Sequence, residues 1–353
     1  MLSGYTDFNR YCQDAFTLSF ADYITFTQQH IRDVRQQAGA AHDEATVLMN
    51  APYEYRPASY DGKRGVLLIH GFLTCPYLMR SVAQLYLQQG FLVRSILLPG
   101  HGTVAGELKN VTVEQWQQAV DYGIYSLQTE AEEIHLCGYS LGATLACLAT
   151  REHNIKSLTL LSPAFGITKS AALLAFTTKL HFEAAQWICK LKEDDLATYH
   201  SIAANGAWQV LRAIRLLRPH LNDIQLPCFI AASFEDSTVK VKPILRFLQS
   251  NTNPNTYLRI YCKTQHRFKD PRIETIHSST LEPHVLDMSH IAVPVAPEDV
   301  YYGKNGAQKG ILPEKYVFGE KSKYNLRQPN FYRLSYNPNF MGMAQKLRAF
   351  IQY

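Results

Sequence analysis

Four short apolar runs recur along this chain with room for one helix between successive members. They are VLLIH (66–70), FLVRSILL (91–98), IHLCGY (134–139) and SLTLLS (157–162). Between them lie helical patterns at Pro76 to Gln89, Val113 to Gln128 and Leu141 to Glu152. Proline just inside a helix start and glycine just past its end mark boundaries, as Pro76 and Gly90 do. Strand–helix–strand repeated in this way predicts a parallel sheet with helices on both faces. Strands buried on both sides carry nearly continuous apolar runs, and these do. The expected fold class is therefore α/β, with a mostly parallel central sheet.

The rhythm stops at Pro163. Residues 164–225 read as helical with no convincing strand, and LPCFIAAS (226–233) resumes the sheet. Val241 to Ser250 follows as a helix and TYLRIYC (256–262) as a further strand. The expected division is a core of 51–163 and 226–353, a helical cap inserted at 164–225, and an N-terminal helical extension over 1–50. Phe8, Tyr11, Cys12, Ala15 and Phe16 give residues 7–37 one apolar helix face, and TVLMNA (46–51) reads as an early strand. Residues 291–331, rich in Pro, Gly, Tyr and Lys, read as a long irregular segment. Met341 to Gln352 closes the chain as a helix.

Composition narrows the function classes. Of 353 residues, 46% are hydrophobic and 18% charged, which suits a globular core. The net charge of +5 is a mild basic excess, so no nucleic-acid partner is expected. Seven cysteines without CxxC or other metal spacing suit a reducing compartment, and no metal is expected. No secretory signal pattern opens the chain and no long apolar run would cross a membrane, so the expected location is cytoplasmic. The basic stretch 301–333 reads as a solvated face, and it keeps peripheral membrane contact open. The sequence carries no sign of oligomeric state.

Gly138-Tyr139-Ser140-Leu141-Gly142 matches G-x-S-x-G, with a strand ending at it and a helix starting after it. Such a turn strains the serine backbone and projects its hydroxyl above the sheet. Bulky side chains two residues to either side would collide, which gives Gly138 and Gly142 a physical reason. The bland alternative, a capping serine between packing glycines, lacks that strand–helix context. Acyl transfer also needs two N–H donors aimed at the developing oxyanion. The Leu141 N–H, directly after the serine, is one candidate. The Phe72 N–H is the other, in His70-Gly71-Phe72 at the end of the first strand, where Gly71 permits a tight loop and His70 braces it.

The ordered set HGF (70–72), LLPGHG (97–102) and GYSLG (138–142) resembles the α/β-hydrolase superfamily, in particular its bacterial carboxylesterase and monoacylglycerol-lipase-like branch. The resemblance spans roughly 60–295. One departure is Leu97 or Leu98, where family members commonly carry an acid. The superfamily order of serine, acid and histidine implies an acid after the strand that follows the cap. Asp236, with Val239 after it, fits that pattern better than Glu235, which is kept as the alternative. The histidine belongs on a loop after the last strands, and His290 in VLDMSHIAVP fits better than His266, His277 or His284. The long gap from Asp236 to His290 requires an inserted hairpin near 270–285.

The resemblance thus implies a serine esterase without metal or organic cofactor, acting through Ser140, His290 and Asp236. The cap carries Leu173, Leu174, Phe176, Phe182, Trp187, Ile188, Trp208, Leu211, Ile214 and Leu217. An apolar lid favours medium- or long-chain acyl esters or monoacylglycerol-like lipids. Arg212 and Arg215 read as a solvated face, or as contacts for an anionic head group. An acyltransferase or thioesterase on the same residues, and a non-catalytic binding protein on a hydrolase fold, are the rival readings.

Overall fold

The computed structural model describes residues 8–168, 186–309, 317–320 and 330–352. Its strands are β1 (Tyr53–Tyr55), β2 (Arg64–Ile69), β3 (Leu92–Ile96), β4 (Glu133–Tyr139), β5 (Ser157–Leu161), β6 (Trp187–Cys189), β7 (Ile202–Ala203), β8 (Cys228–Ser233), β9 (Tyr257–Cys262), β10 (Ile273–His277), β11 (Val317–Gly319) and β12 (Phe331–Arg333). Its helices are α1 (Phe8–Ala15), α2 (Phe20–Gln37), α3 (Glu44–Asn50), α4 (Arg80–Leu87), α5 (Val113–Gln128), α6 (Leu141–Ala149), α7 (Ala204–Leu217), α8 (Val241–Ser250) and α9 (Phe340–Ile351).

An eight-stranded sheet has the order β1-β3-β2-β4-β5-β8-β9-β10. β1 runs antiparallel to β3, and the remaining pairings in this sheet are parallel. Side chains alternate between faces along a strand. Leu67 and Ile69 of β2 therefore enter the core shared with α5, α6, α7 and α8. Val66 and Leu68 enter the opposite core, shared with α4 and α9. Both faces are covered, which explains why the sequence runs are nearly continuously apolar. On α5, a Cβ at Gly123 would lie 2.7 to 3.0 Å from Leu67 and Ile96, so this helix rests directly on β2 and β3.

The N-terminal helices belong to the same packing. Tyr11, Cys12, Ala15, Phe20 and Tyr23 join the first core. Arg35 of α2 donates to the carbonyls of Gly102 and Thr103 at 3.1 and 3.0 Å. The side-chain oxygen of Tyr23 accepts from the Leu97 N–H at 3.1 Å. α2 thereby clamps the segment that follows β3.

Several sequence expectations change. The single helix over 7–37 is two, because the Ser19 hydroxyl caps α2 by accepting from the Asp22 N–H at 3.2 Å. TVLMNA forms most of α3 rather than a strand. Asp43 caps it, accepting from the Thr46 N–H at 3.1 Å, and the buried residues are Thr46, Val47 and Asn50, at helical spacing. β6 and β7 pair antiparallel inside 164–225, where no strand was expected. Leu173, Leu174, Phe176 and Phe182 lie outside the described residues. The segment after β9 is no hairpin, since β10 pairs parallel with β9. Part of the irregular tail is ordered too, with β11 parallel to β12. Among the described residues, no helix is long and apolar enough to cross a membrane.

Candidate active site

Ser140 sits at the carboxyl end of β4 with φ 54° and ψ −112°, a conformation that costs a non-glycine residue ~1–3 kcal/mol. The surroundings hold it there. Its N–H donates to the Leu161 carbonyl of β5 at 2.9 Å, and its carbonyl accepts from Ala143 and Ala164, both at 3.1 Å. The flanking glycines are dictated by space. A Cβ at Gly138 would overlap the backbone of Gly142 and Ala143, and one at Gly142 would overlap the carbonyl oxygens of Ile69 and His70. α6 starts at Leu141, so its positive end faces the serine.

The three residues singled out across the sequence come together here. His290 Nε2 lies 2.9 Å from Ser140 Oγ, and His290 Nδ1 lies 2.5 Å from Asp236 Oδ2. The carboxylate of Asp236 is fully buried. Its Oδ1 accepts from the N–H groups of Thr238 and Val239 at 2.8 and 2.9 Å, so both of its oxygens are occupied. With Nδ1–H pointed at a carboxylate, the Nε2 lone pair faces the serine hydroxyl. That arrangement can take a proton from Ser140 and return it to a leaving group.

Glu235, the alternative acid, faces elsewhere. It accepts from the Lys263 N–H at 2.8 Å, and burial pushes its carboxyl pKa up. The other histidine candidates are also apart from the serine. His277 closes β10. His266 packs tilted against Phe234 with ring centres 3.9 Å apart. His284 supplies its carbonyl to the Phe318 N–H at 2.7 Å.

The loop after β2 approaches Ser140 closely. A Cβ on Gly71 would lie 2.8 Å from the Tyr139 ring and 3.1 Å from Ser140 Cβ. His70 braces this loop as a neutral imidazole. Its Nδ1 meets the Gly71 carbonyl at 2.9 Å, and its Nε2 accepts from the Leu98 N–H at 3.0 Å. Burial, with His101 adjacent, holds its pKa well below the ordinary value. The Phe72 and Leu141 N–H groups donate to no protein acceptor among the described residues. Sequence reasoning missed Thr74. Its hydroxyl closes the loop, accepting from the Gly71 N–H at 3.1 Å and lying 2.9 Å from the Gly71 carbonyl. It also missed Glu320, whose Oε2 accepts from the His290 N–H at 2.6 Å. No local motif announces either residue. Arg212 is committed to Glu114 at 2.7 Å, and Arg215 lies over the Trp208 ring at 4.8 Å. No cluster of metal-ligating side chains occurs among the described residues.

Comparison with known proteins sets the class. The chain belongs to the serine aminopeptidase, S33 family of α/β-hydrolases, whose profile matches residues 61–269, more than half of its length. It is 29% identical over 182 residues to a thermostable monoacylglycerol lipase of Bacillus sp. (strain H-257), covering 51% of this chain and 73% of that one. A solved structure from work on two metagenome-derived lipolytic enzymes, LipS and LipT, superposes with a TM-score of 0.52 at 20% identity, covering 59% of this chain and 86% of that one. At that identity the second likeness is one of fold. The protein is a hydrolase of the carboxylesterase and lipase type.

Proposed function

We propose that the protein hydrolyses carboxylic esters of medium- to long-chain acyl groups, including monoacylglycerol-like lipids, through an acyl-enzyme on Ser140. The observation that carries this reading is the continuous relay of Asp236 Oδ2, His290 and Ser140 Oγ at 2.5 and 2.9 Å. His290 removes the serine proton as Oγ attacks the ester carbonyl, and Asp236 fixes the tautomer and stabilises the imidazolium. The N–H groups of Phe72 and Leu141 receive the oxyanion. His290 then protonates the leaving alcohol, and water attacking the acyl-enzyme returns the serine hydroxyl. The supporting frame is His70, Gly71, Gly138 and Gly142.

The acyl preference rests on the inserted segment 164–225, which we assign as a cap over the core of 51–163 and 226–353. Gly206 of α7 supports that placement, since a Cβ there would lie 3.0 Å from the Phe72 ring. The matched lipase of Bacillus supports the lipid-ester reading. We assign residues 1–50 as a helical extension and the cytoplasm as the working compartment. All seven cysteines are free, which suits reducing conditions.

A p-nitrophenyl ester series of increasing acyl length, run with wild type and Ser140→Ala, tests the reading. Turnover should be greatest with longer acyl chains and fall in the alanine variant by ~10⁴-fold or more. A preference confined to acetate would remove the lipid-ester assignment while leaving the esterase assignment standing.

A further inference from the structure

We propose that Glu320, which lies beyond the family-matched segment 61–269, is a positioning residue that holds His290 in line with Ser140 through the His290 backbone. The inference rests on the acyl-enzyme reading above. His290 is 6% exposed, and its N–H lies in a loop that no ladder of the eight-stranded sheet reaches. A buried N–H requires an acceptor, and an ionised carboxylate makes a short, strong one. Glu320 Oε2 supplies it at 2.6 Å.

The carboxylate is itself anchored. The Glu320 N–H donates to Asp287 Oδ1, three residues before the histidine. A Cβ at Gly319 would overlap that Asp287 oxygen, so a side chain there would have to push the Asp287 carboxylate from its bond to Glu320. Arg333 Nε lies 4.0 Å from Glu320 Oε1. On the near side of the loop, the Leu286 N–H donates to the Phe318 carbonyl and the Phe318 N–H to the His284 carbonyl, both at 2.7 Å. The Ser289 hydroxyl donates to the Leu334 carbonyl. Phe318 of β11, Glu320 directly after it and Leu334 directly after β12 thus grip His284, Leu286, Asp287, Ser289 and His290. Fixing the His290 backbone leaves only its two side-chain torsions for Asp236 and Ser140 to set. Small misplacement of a catalytic group is expensive in rate, which gives this grip a catalytic consequence.

The test compares Glu320→Ala and Glu320→Gln in the full chain. Active sites are counted by titration with a p-nitrophenyl alkylphosphonate, and thermal melting follows folding. Glu320→Ala should lower kcat per titrated site by about 10–100-fold, with KM changed less than about threefold. Glu320→Gln keeps a carbonyl acceptor and should recover to within about threefold of wild type. Wild-type turnover per titrated site in the alanine variant, even with a lowered melting temperature, overturns the inference by making Glu320 structural only. A glutamine variant no better than alanine overturns it too. If wild-type Ser140 takes up no phosphonate, the acyl-enzyme reading fails and this inference falls with it. Normal labelling with a silent Glu320→Ala removes the inference alone.

Discussion

At the scale of single residues, the site depends on which atoms have no room to move. Gly142 faces the carbonyl oxygens of Ile69 and His70, so Gly142→Ala must push β2 and α6 apart. Overpacking typically costs ~1–3 kcal/mol, and a clash with backbone is hard to relax. Urea denaturation should show a loss of at least that size, and an unchanged midpoint would mean the turn is looser than described. Asp236 and Glu235 are neighbours with different partners, so they should separate cleanly. Asp236→Asn should lower kcat by ~10⁴-fold, because an amide N–H facing Nδ1 holds the imidazole in the wrong tautomer. Glu235→Gln should stay within about tenfold of wild type. The reverse pattern in steady-state kinetics would reassign the acid. Ser140 was legible because its constraints are local and leave a sequence pattern. Asp236 and His290 needed the family's chain order as a guide. Glu320 left no trace, since its role depends on a tail that folds back across the loop preceding His290.

At the scale of elements, sequence reasoning succeeded where one periodicity ran long enough. The continuous apolar runs of β2, β4 and β5 and the long pattern of α5 needed no tertiary information. α3 was misread because Thr46 and Val47 are β-branched and β-prone, while the cap from Asp43 and burial of one helical face decided the outcome. β6, β7, β11 and β12 span three residues or fewer, too short for a period to show. β10 falls where an inserted hairpin was expected, and its parallel direction depends on how residues 263–272 return, which no local pattern fixes. α5 offers a direct check. Thr112 and Gln115 form a reciprocal capping box, with bonds of 3.2 and 2.9 Å. Thr112→Ala should cost ~1 kcal/mol, a drop of about 2–4 °C in Tm for a chain of this size. No change in calorimetry would mean that the α5 start is held by its packing instead.

At the scale of the whole molecule, burial of neutral histidines sets the response to acid. Burial lowers the pKa of His30, His101 and His135 to about 4 and holds His70 well below its ordinary value. Each contributes stability that is present above the unfolded histidine pKa of ~6.5 and lost as pH falls through the folded value. Glu107 acts in the opposite sense. Burial raises its pKa to about 7, so its contribution is present below the unfolded value of ~4.5 and lost as pH rises through 7. Burial also raises the carboxyl pKa of Glu235, Asp195 and Asp287, in the sense of Glu107. Asp43, Glu114, Glu130, Glu133 and Asp270 are held below the ordinary carboxylate value and act with the four histidines, so Tm should fall as pH is lowered from 7 to 4. Glu107→Gln removes the opposing slope and should make the fall between pH 7 and 5 steeper. A flat profile in either protein would contradict this balance. The same long-range packing joins the ends of the chain to the site, with α2 clamping Gly102 and Thr103 and the tail gripping the His290 loop.

The central claim is that an acyl group passes through Ser140. Its most direct test is rapid acid quench of the enzyme with a p-nitrophenyl ester, followed by peptide mass mapping. The account predicts the acyl mass on the peptide containing Ser140 at early times, its decay as substrate is exhausted, and its absence from Ser140→Ala together with turnover. Full turnover with no acyl group on that peptide, or an acyl group on another residue formed and lost at the turnover rate, would contradict it.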